Sequence, residues 1–170
     1  MQRRVLFVDD ESEVLECFAL ALSDQNYEVR TASSGEEALA LMERERIDVI
    51  ICDERMPGLQ GSEVLVQVRA RHPETVRIIL TGQATLQAAV RAINEGEIYR
   101  FLTKPCGIDE LAVVINAALE RHAAFLAATP EGESASERAL RAMRHDTDDI
   151  ETLPPEALGI RLDTDNVKIP

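Results

Sequence analysis

Val49-Ile50-Ile51-Cys52 is an unbroken apolar run that stops on Asp53, with Glu54-Arg55-Met56-Pro57-Gly58 behind it. A strand with one wet face alternates apolar and polar side chains; a strand covered on both faces has no need to. The run therefore reads as a buried parallel strand with Asp53 at its carboxyl end. Four similar runs surround it: Val5-Leu6-Phe7-Val8, Tyr27-Glu28-Val29-Arg30, Val76-Arg77-Ile78-Ile79-Leu80 and Ile98-Tyr99-Arg100-Phe101-Leu102.

Segments of helical period separate these runs. Val14, Leu15, Phe18, Ala19 and Leu22 share one face, and Ser34 with Glu37 reads as a capping box ahead of Ala38, Leu39, Leu41 and Met42. Val64, Leu65 and Val68 mark a third helix, which Pro73 ends. Leu86, Ala89, Val90 and Ile93 mark a fourth, closed by Gly96, and Leu111, Val114, Ile115, Ala118 and Leu119 mark a fifth. The alternation is (βα)5, and short links with right-handed crossovers make it an α/β, doubly wound parallel sheet. In such sheets the site lies beyond the carboxyl ends of the strands.

The residues at those ends carry chemistry. The first strand ends in Asp9-Asp10-Glu11, the third in Asp53, the fourth in Thr81 and the fifth in Lys104-Pro105. Three carboxylates packed together repel one another unless a hard cation joins them, and Mg2+ prefers a few carboxylates with water and phosphate oxygens. Asp53 has the chemistry of a nucleophile toward a phosphoryl donor. Thr81 can donate a hydrogen bond to a phosphoryl oxygen, and Lys104 can neutralise its charge. Any one carboxylate after a strand is commonly a solvated cap. Lys104 is harder to dismiss: of 18 cationic residues only Lys104 and Lys168 are lysines, so a compact ammonium stands where this chain otherwise uses arginine.

Order, spacing and strand context together resemble the receiver domain of two-component response regulators. The stretches that carry the likeness are Val8-Asp9-Asp10-Glu11, Asp53-Glu54-Arg55-Met56-Pro57-Gly58 with Gly61, Leu80-Thr81-Gly82, and Phe101-Leu102-Thr103-Lys104-Pro105. Residues 94–105 are similar to the receivers of hydrogenase-type regulators and of HD-type cyclic-di-GMP phosphodiesterases. The resemblance implies a flavodoxin-like, CheY-like sheet of order 2-1-3-4-5. It implies Asp53 as phosphoacceptor, and Mg2+ held by Asp10, Asp9, Asp53 and the backbone carbonyl of Arg55. Lys104 would contact the phosphoryl group, the Lys104–Pro105 bond would be cis, and Thr81 with Phe101 would form a coupled switch pair. Arg55 and Gln83 stand where this family tunes phosphate lifetime. Tyr99 shares the face of Phe101 by period two but stands apart from the switch position. The implied partners are a sensor histidine kinase or phosphotransfer protein, a downstream protein target and a second copy in a phosphorylation-dependent homodimer.

Composition fits this reading. The net charge is −13 with 18 basic residues against 31 acidic ones, which argues against a DNA or anionic-membrane partner. No apolar run reaches the ~20 residues of a membrane span. Cys17, Cys52 and Cys106 are odd in number and lack CxxC spacing, so a cytoplasmic protein without disulfides is expected; Cys106 alone has a further reading, a redox role. His72, His122 and His145 have no metal-ligand spacing and receive no role. Residues 1–128 are expected to form the receiver. Residues 129–170, with 10 acidic and 5 basic side chains, are expected to form an acidic extension, partly disordered or docked, too short for an ordinary output domain.

Three functions compete at this point. One is a stand-alone receiver that signals by protein contact and is no enzyme beyond its own phosphorylation and dephosphorylation. The second is the receiver module of a larger regulator. The third is an aspartate-nucleophile phosphohydrolase, a class that uses a second acid where this chain has Arg55.

Overall fold

Alternation decides which side of the sheet each residue serves. In the computed structural model, which describes residues 2–82, 98–128 and Glu137, β1 (Arg4–Val8) sends Leu6 and Val8 into one core layer and Val5 and Phe7 into the other. The same division runs through β3 (Val49–Asp53), with Ile50 and Cys52 against Val49 and Ile51. All of β3 and of β4 (Val76–Thr81) is buried, which is why their sequences do not alternate.

With β2 (Glu28–Ala32) and β5 (Arg100–Thr103) these strands form one parallel sheet of order β2-β1-β3-β4-β5. Helix α1 (Ser12–Ala21) gives Leu15, and helix α4 (Ile108–Ala127) gives Leu111, Val114, Ile115, Ala118 and Leu119, to one layer. Helices α2 (Gly35–Met42) and α3 (Gly61–Arg71) give Ala38, Met42, Val64, Leu65 and Val68 to the other. With few aromatic residues in the chain, aliphatic side chains carry the core; Phe7 stacks on Phe18 with ring centroids 4.9 Å apart.

The sheet and the five strands appear as the sequence predicts, with shifts at the ends. Strand β2 begins after Tyr27 and runs on to Ala32, and β5 begins only at Arg100. The capping box predicted at Ser34 forms by half. The Ser34 hydroxyl accepts the Glu37 N–H (3.1 Å), but the Glu37 carboxylate reaches Ser33, accepting from its N–H and its hydroxyl, each at 2.7 Å. A complete box stands instead on α3, between Gln60 and Glu63. The helix predicted around Leu86–Ile93, Gln83 and the extension 129–170 apart from Glu137 lie outside the described residues.

Because β1 and β3 are neighbours while β2 lies beyond β1, the connections leave the carboxyl edge in opposite directions at the β1–β3 boundary. That is the crevice where sheets of this kind bind ligands, and Asp9 and Asp53 stand at it.

Candidate functional site

Two aspartates and one lysine are locked together at this edge. The Asp9 N–H donates to the Ala32 carbonyl (3.2 Å), which carries the β1–β2 ladder one residue past Val8. The carboxylate of Asp9 is buried; Oδ1 accepts the Glu11 N–H (3.0 Å) and Oδ2 accepts from Lys104 Nζ (2.7 Å). Asp53, also buried, accepts the Arg55 N–H on Oδ2 (3.0 Å) and lies 3.0 Å from Lys104 Nζ through Oδ1. Lys104 is brought in by its own backbone, whose N–H donates to the Thr81 carbonyl (2.8 Å) just past the Thr81–Thr103 register pair. The Lys104–Pro105 peptide is cis.

Asp10 completes the cluster from the exposed side. One carboxylate oxygen from each of Asp9, Asp10 and Asp53 lies within 4.8 Å of the others. Three carboxylates face one ammonium, so negative charge is left over in a set of hard oxygen donors. Such a set can hold a divalent cation, with the exposed Asp10 side left open to water ligands. Burial alone would lower the pKa of Lys104, but hydrogen bonds and charge from Asp9 and Asp53 outweigh it and hold the ammonium above its ordinary value.

Thr81 is buried at the end of β4. Phe101 is buried in the layer of α2 and α3, beside Ile98 and Ile79. Tyr99 does not share its face: it precedes the strand, so period-two alternation does not reach it, and it packs against the opposite layer. There the guanidiniums of Arg121 and Arg100 lie 5.0 and 5.9 Å from its ring centroid. The Arg55 side chain is exposed. Cys106 is half-buried and its thiol is pushed up to about 11, first by burial and then by the charge of Glu110, so the reactive thiolate is scarce at neutral pH.

Two arrangements have no local signature in the sequence. Glu54, next to Asp53, accepts from both the N–H (2.8 Å) and the hydroxyl (2.9 Å) of Ser62. At the opposite end of the sheet His122 is buried on α4. Its Nδ1 donates to the Glu74 carbonyl (2.8 Å), and its Nε2 lies 2.9 Å from Asp48 Oδ1 and 2.9 Å from the Arg46 guanidinium. Burial pushes the Asp48 carboxyl up, but hydrogen bonds from His122 and the Arg4 N–H outweigh it and hold it below the usual carboxylate range. Partners 74 residues apart leave no pattern in a linear reading. No helix among the described residues is long and apolar enough to cross a membrane.

Comparison with known proteins agrees with this fold. The family model described as the response regulator receiver domain matches residues 5–116. The chain is 41% identical over 119 residues to the hydrogenase transcriptional regulatory protein HoxA of Cupriavidus necator, covering 70% of this chain and 24% of that protein. It is 38% identical over 119 residues to the alginate biosynthesis transcriptional regulatory protein AlgB of Pseudomonas aeruginosa, covering 70% of this chain and 26% of that one. The chain thus spans about a quarter of the length of these relatives. Among solved structures, the signal receiver domain of an HD domain-containing protein from Pseudomonas fluorescens is 33% identical with a TM-score of 0.69, covering 73% of this chain and 99% of that one. A structure described as an adenylate cyclase from Rhodopirellula baltica is 38% identical with a TM-score of 0.71, covering 75% of this chain and 94% of that one.

Proposed function

The chain belongs to the response regulator receiver domain family, and from that premise we propose that it is an Mg2+-dependent switch in which Asp53 accepts a phosphoryl group. The observation that carries the reading is Lys104, whose ammonium bridges Asp9 and Asp53 at 2.7 and 3.0 Å beside an acidic cluster at the sheet's switch point.

Each residue has a task that its chemistry explains. An Asp53 carboxylate oxygen attacks the phosphorus of a phosphodonor; the bond to the donor's leaving group breaks and an acyl phosphate forms. Asp10, Asp9, Asp53 and the Arg55 carbonyl would hold the metal. When bound, Mg2+ supplies positive charge to the phosphoryl oxygens and relieves the repulsion among the carboxylates. Lys104 already spans Asp9 and Asp53, so its ammonium is within reach of a phosphoryl group on Asp53 and needs little reorganisation to neutralise it. The Thr81 hydroxyl donates to a phosphoryl oxygen, and the ring of Phe101 repacks in response, so charge at Asp53 is read out on the surface formed with β5 and α4.

The donors that fit are a sensor histidine kinase or a phosphotransfer protein, and the output is contact with a downstream protein or a second copy. Because the matched stretch makes up only about a quarter of each relative, the chain acts as a receiver module whose output lies in the remainder of such a regulator or in a separate partner. The family generally works as a signalling module, and the position two after Asp53 is Arg55 where the phosphohydrolase alternative uses a second acid; both weigh against that alternative. Incubation with acetyl phosphate tests the proposal: intact-mass spectrometry gives a single phosphoryl adduct in Mg2+ and none in excess chelator. An adduct of equal yield in chelator would contradict it.

A further inference from the structure

We propose that Glu54 is a positioning residue of this site: with Ser62 it clasps the loop that follows the acceptor and so fixes the Arg55 peptide group for the metal. The inference rests on the Mg2+ reading above and adds a determinant that the acidic cluster does not contain.

Glu54 is tied down at both its backbone and its side chain. Its N–H donates to the Leu80 carbonyl (3.3 Å), which carries the β3–β4 pairing one residue past Asp53. Its own carbonyl accepts the Gly61 N–H (3.2 Å). Its carboxylate accepts the Ser62 N–H on one oxygen and the Ser62 hydroxyl on the other, at 2.8 and 2.9 Å. Residues 54 and 61–62 are thereby joined, and residues 55–60 close into a loop against the end of β3. Contact there is tight: a Cβ on Gly61 would lie 2.3 Å from the Asp53 carbonyl oxygen. Met56 is buried beneath the loop.

The charge of Glu54 has a use away from the cation. Ser62 lies in the first turn of α3, where backbone N–H groups lack helical partners and negative charge is favourable. The Glu54 carboxylate meets that need, and it does not join the cluster of Asp9, Asp10 and Asp53. The next residue, Arg55, donates its N–H to Asp53 Oδ2 (3.0 Å) and carries the carbonyl proposed as a metal ligand. The orientation of that peptide group depends on the residue it is joined to. Glu54 therefore acts as an outer-shell partner, a kind whose loss typically costs about 10–100-fold in metal affinity.

Charge and clasp separate by substitution. Glu54→Ala and Glu54→Gln remove the same charge, but the amide of glutamine can still accept from the Ser62 N–H and donate to its hydroxyl. Ser62→Ala keeps the charge and loses one bond. In a Mg2+ titration of the full chain followed through the Arg55 amide resonance, Glu54→Ala weakens binding on the order of tenfold. Ser62→Ala weakens it less, and Glu54→Gln recovers most of the wild-type affinity. A Glu54→Gln variant as weak as Glu54→Ala, or a Glu54→Ala variant with wild-type affinity, overturns the clasp while the metal site stands. A wild-type chain that binds no Mg2+ overturns the reading beneath it. Backbone spectra of each variant without metal show that the fold is retained, and Ser62→Ala gives a second test should Glu54→Ala fail to fold.

Discussion

Lysine 104 shows how one side chain can separate a functional site from a set of ordinary strand ends. Its ammonium reaches two carboxylates that come from different strands, and those contacts hold its charge against burial. A guanidinium is larger and planar and prefers a bidentate partner, whereas this position bridges two acids at single oxygens. Lys104→Arg is therefore expected to slow phosphorylation by acetyl phosphate at least about tenfold, measured as the rate of adduct formation. A wild-type rate would show that only the sign of the charge matters. At this scale much was legible: Asp9, Asp53 and Lys104 were identifiable because each directly follows or ends a strand, and Asp10 because it stands next to Asp9, and the structure brings them together. Tyr99 was misplaced on the face of Phe101 because β5 starts two residues later than its apolar run suggests. The Glu54–Ser62 contact was not legible, since neither residue type signals a partner eight positions away.

The β3–α3 connection is the element on which the site depends. Two positions need glycine for different reasons. Gly58 has φ of 81°, a left-handed conformation that side chains disfavour, and Gly61 passes too close to the Asp53 carbonyl to carry a Cβ. Gly61→Ala should therefore push the loop away from β3 and destabilise the fold by about 1–3 kcal/mol, read as a lower urea midpoint with an unchanged slope. An unaltered midpoint would mean that the loop yields freely. Elements buried on both faces were read from sequence without difficulty, because β3 and β4 have no polar alternation to confuse them. The ends of elements were read less well. Glu37 bonds Ser33 in place of Ser34, a choice made by local rotamers that the S-x-x-E spacing does not encode.

Across the whole molecule, the two ends of the sheet are built for different tasks. The carboxyl edge gathers carboxylates, while the opposite edge spends its charged groups on structure: His122 of α4 pairs with Asp48, and Asp48 also accepts the N–H of Arg4 on β1. This tie joins α4 to the sheet and predicts an acid-sensitive stability. The folded pKa of Asp48 lies below its ordinary value, so its contribution is fully present above about pH 4 and is lost as pH falls through the depressed value. Asp48→Asn should lower the urea midpoint at pH 7 and flatten its fall toward pH 3. A variant with the wild-type acid profile would locate the acid sensitivity elsewhere. The fold class was legible because it rests on periodicity repeated along the chain, whereas this tie joins residues 74 positions apart and emerges only once α4 packs on the sheet.

The central claim, that Asp53 is the acceptor, is tested most directly by placing the phosphoryl group on a residue. The full chain and its Asp53→Asn variant are incubated with acetyl phosphate and Mg2+, and the masses of the intact proteins are compared. The amide keeps the shape of the side chain and removes its nucleophilic oxygen. The account predicts one phosphoryl adduct on the wild-type chain and none on the variant, with backbone spectra showing both folded. A full adduct on Asp53→Asn would contradict it.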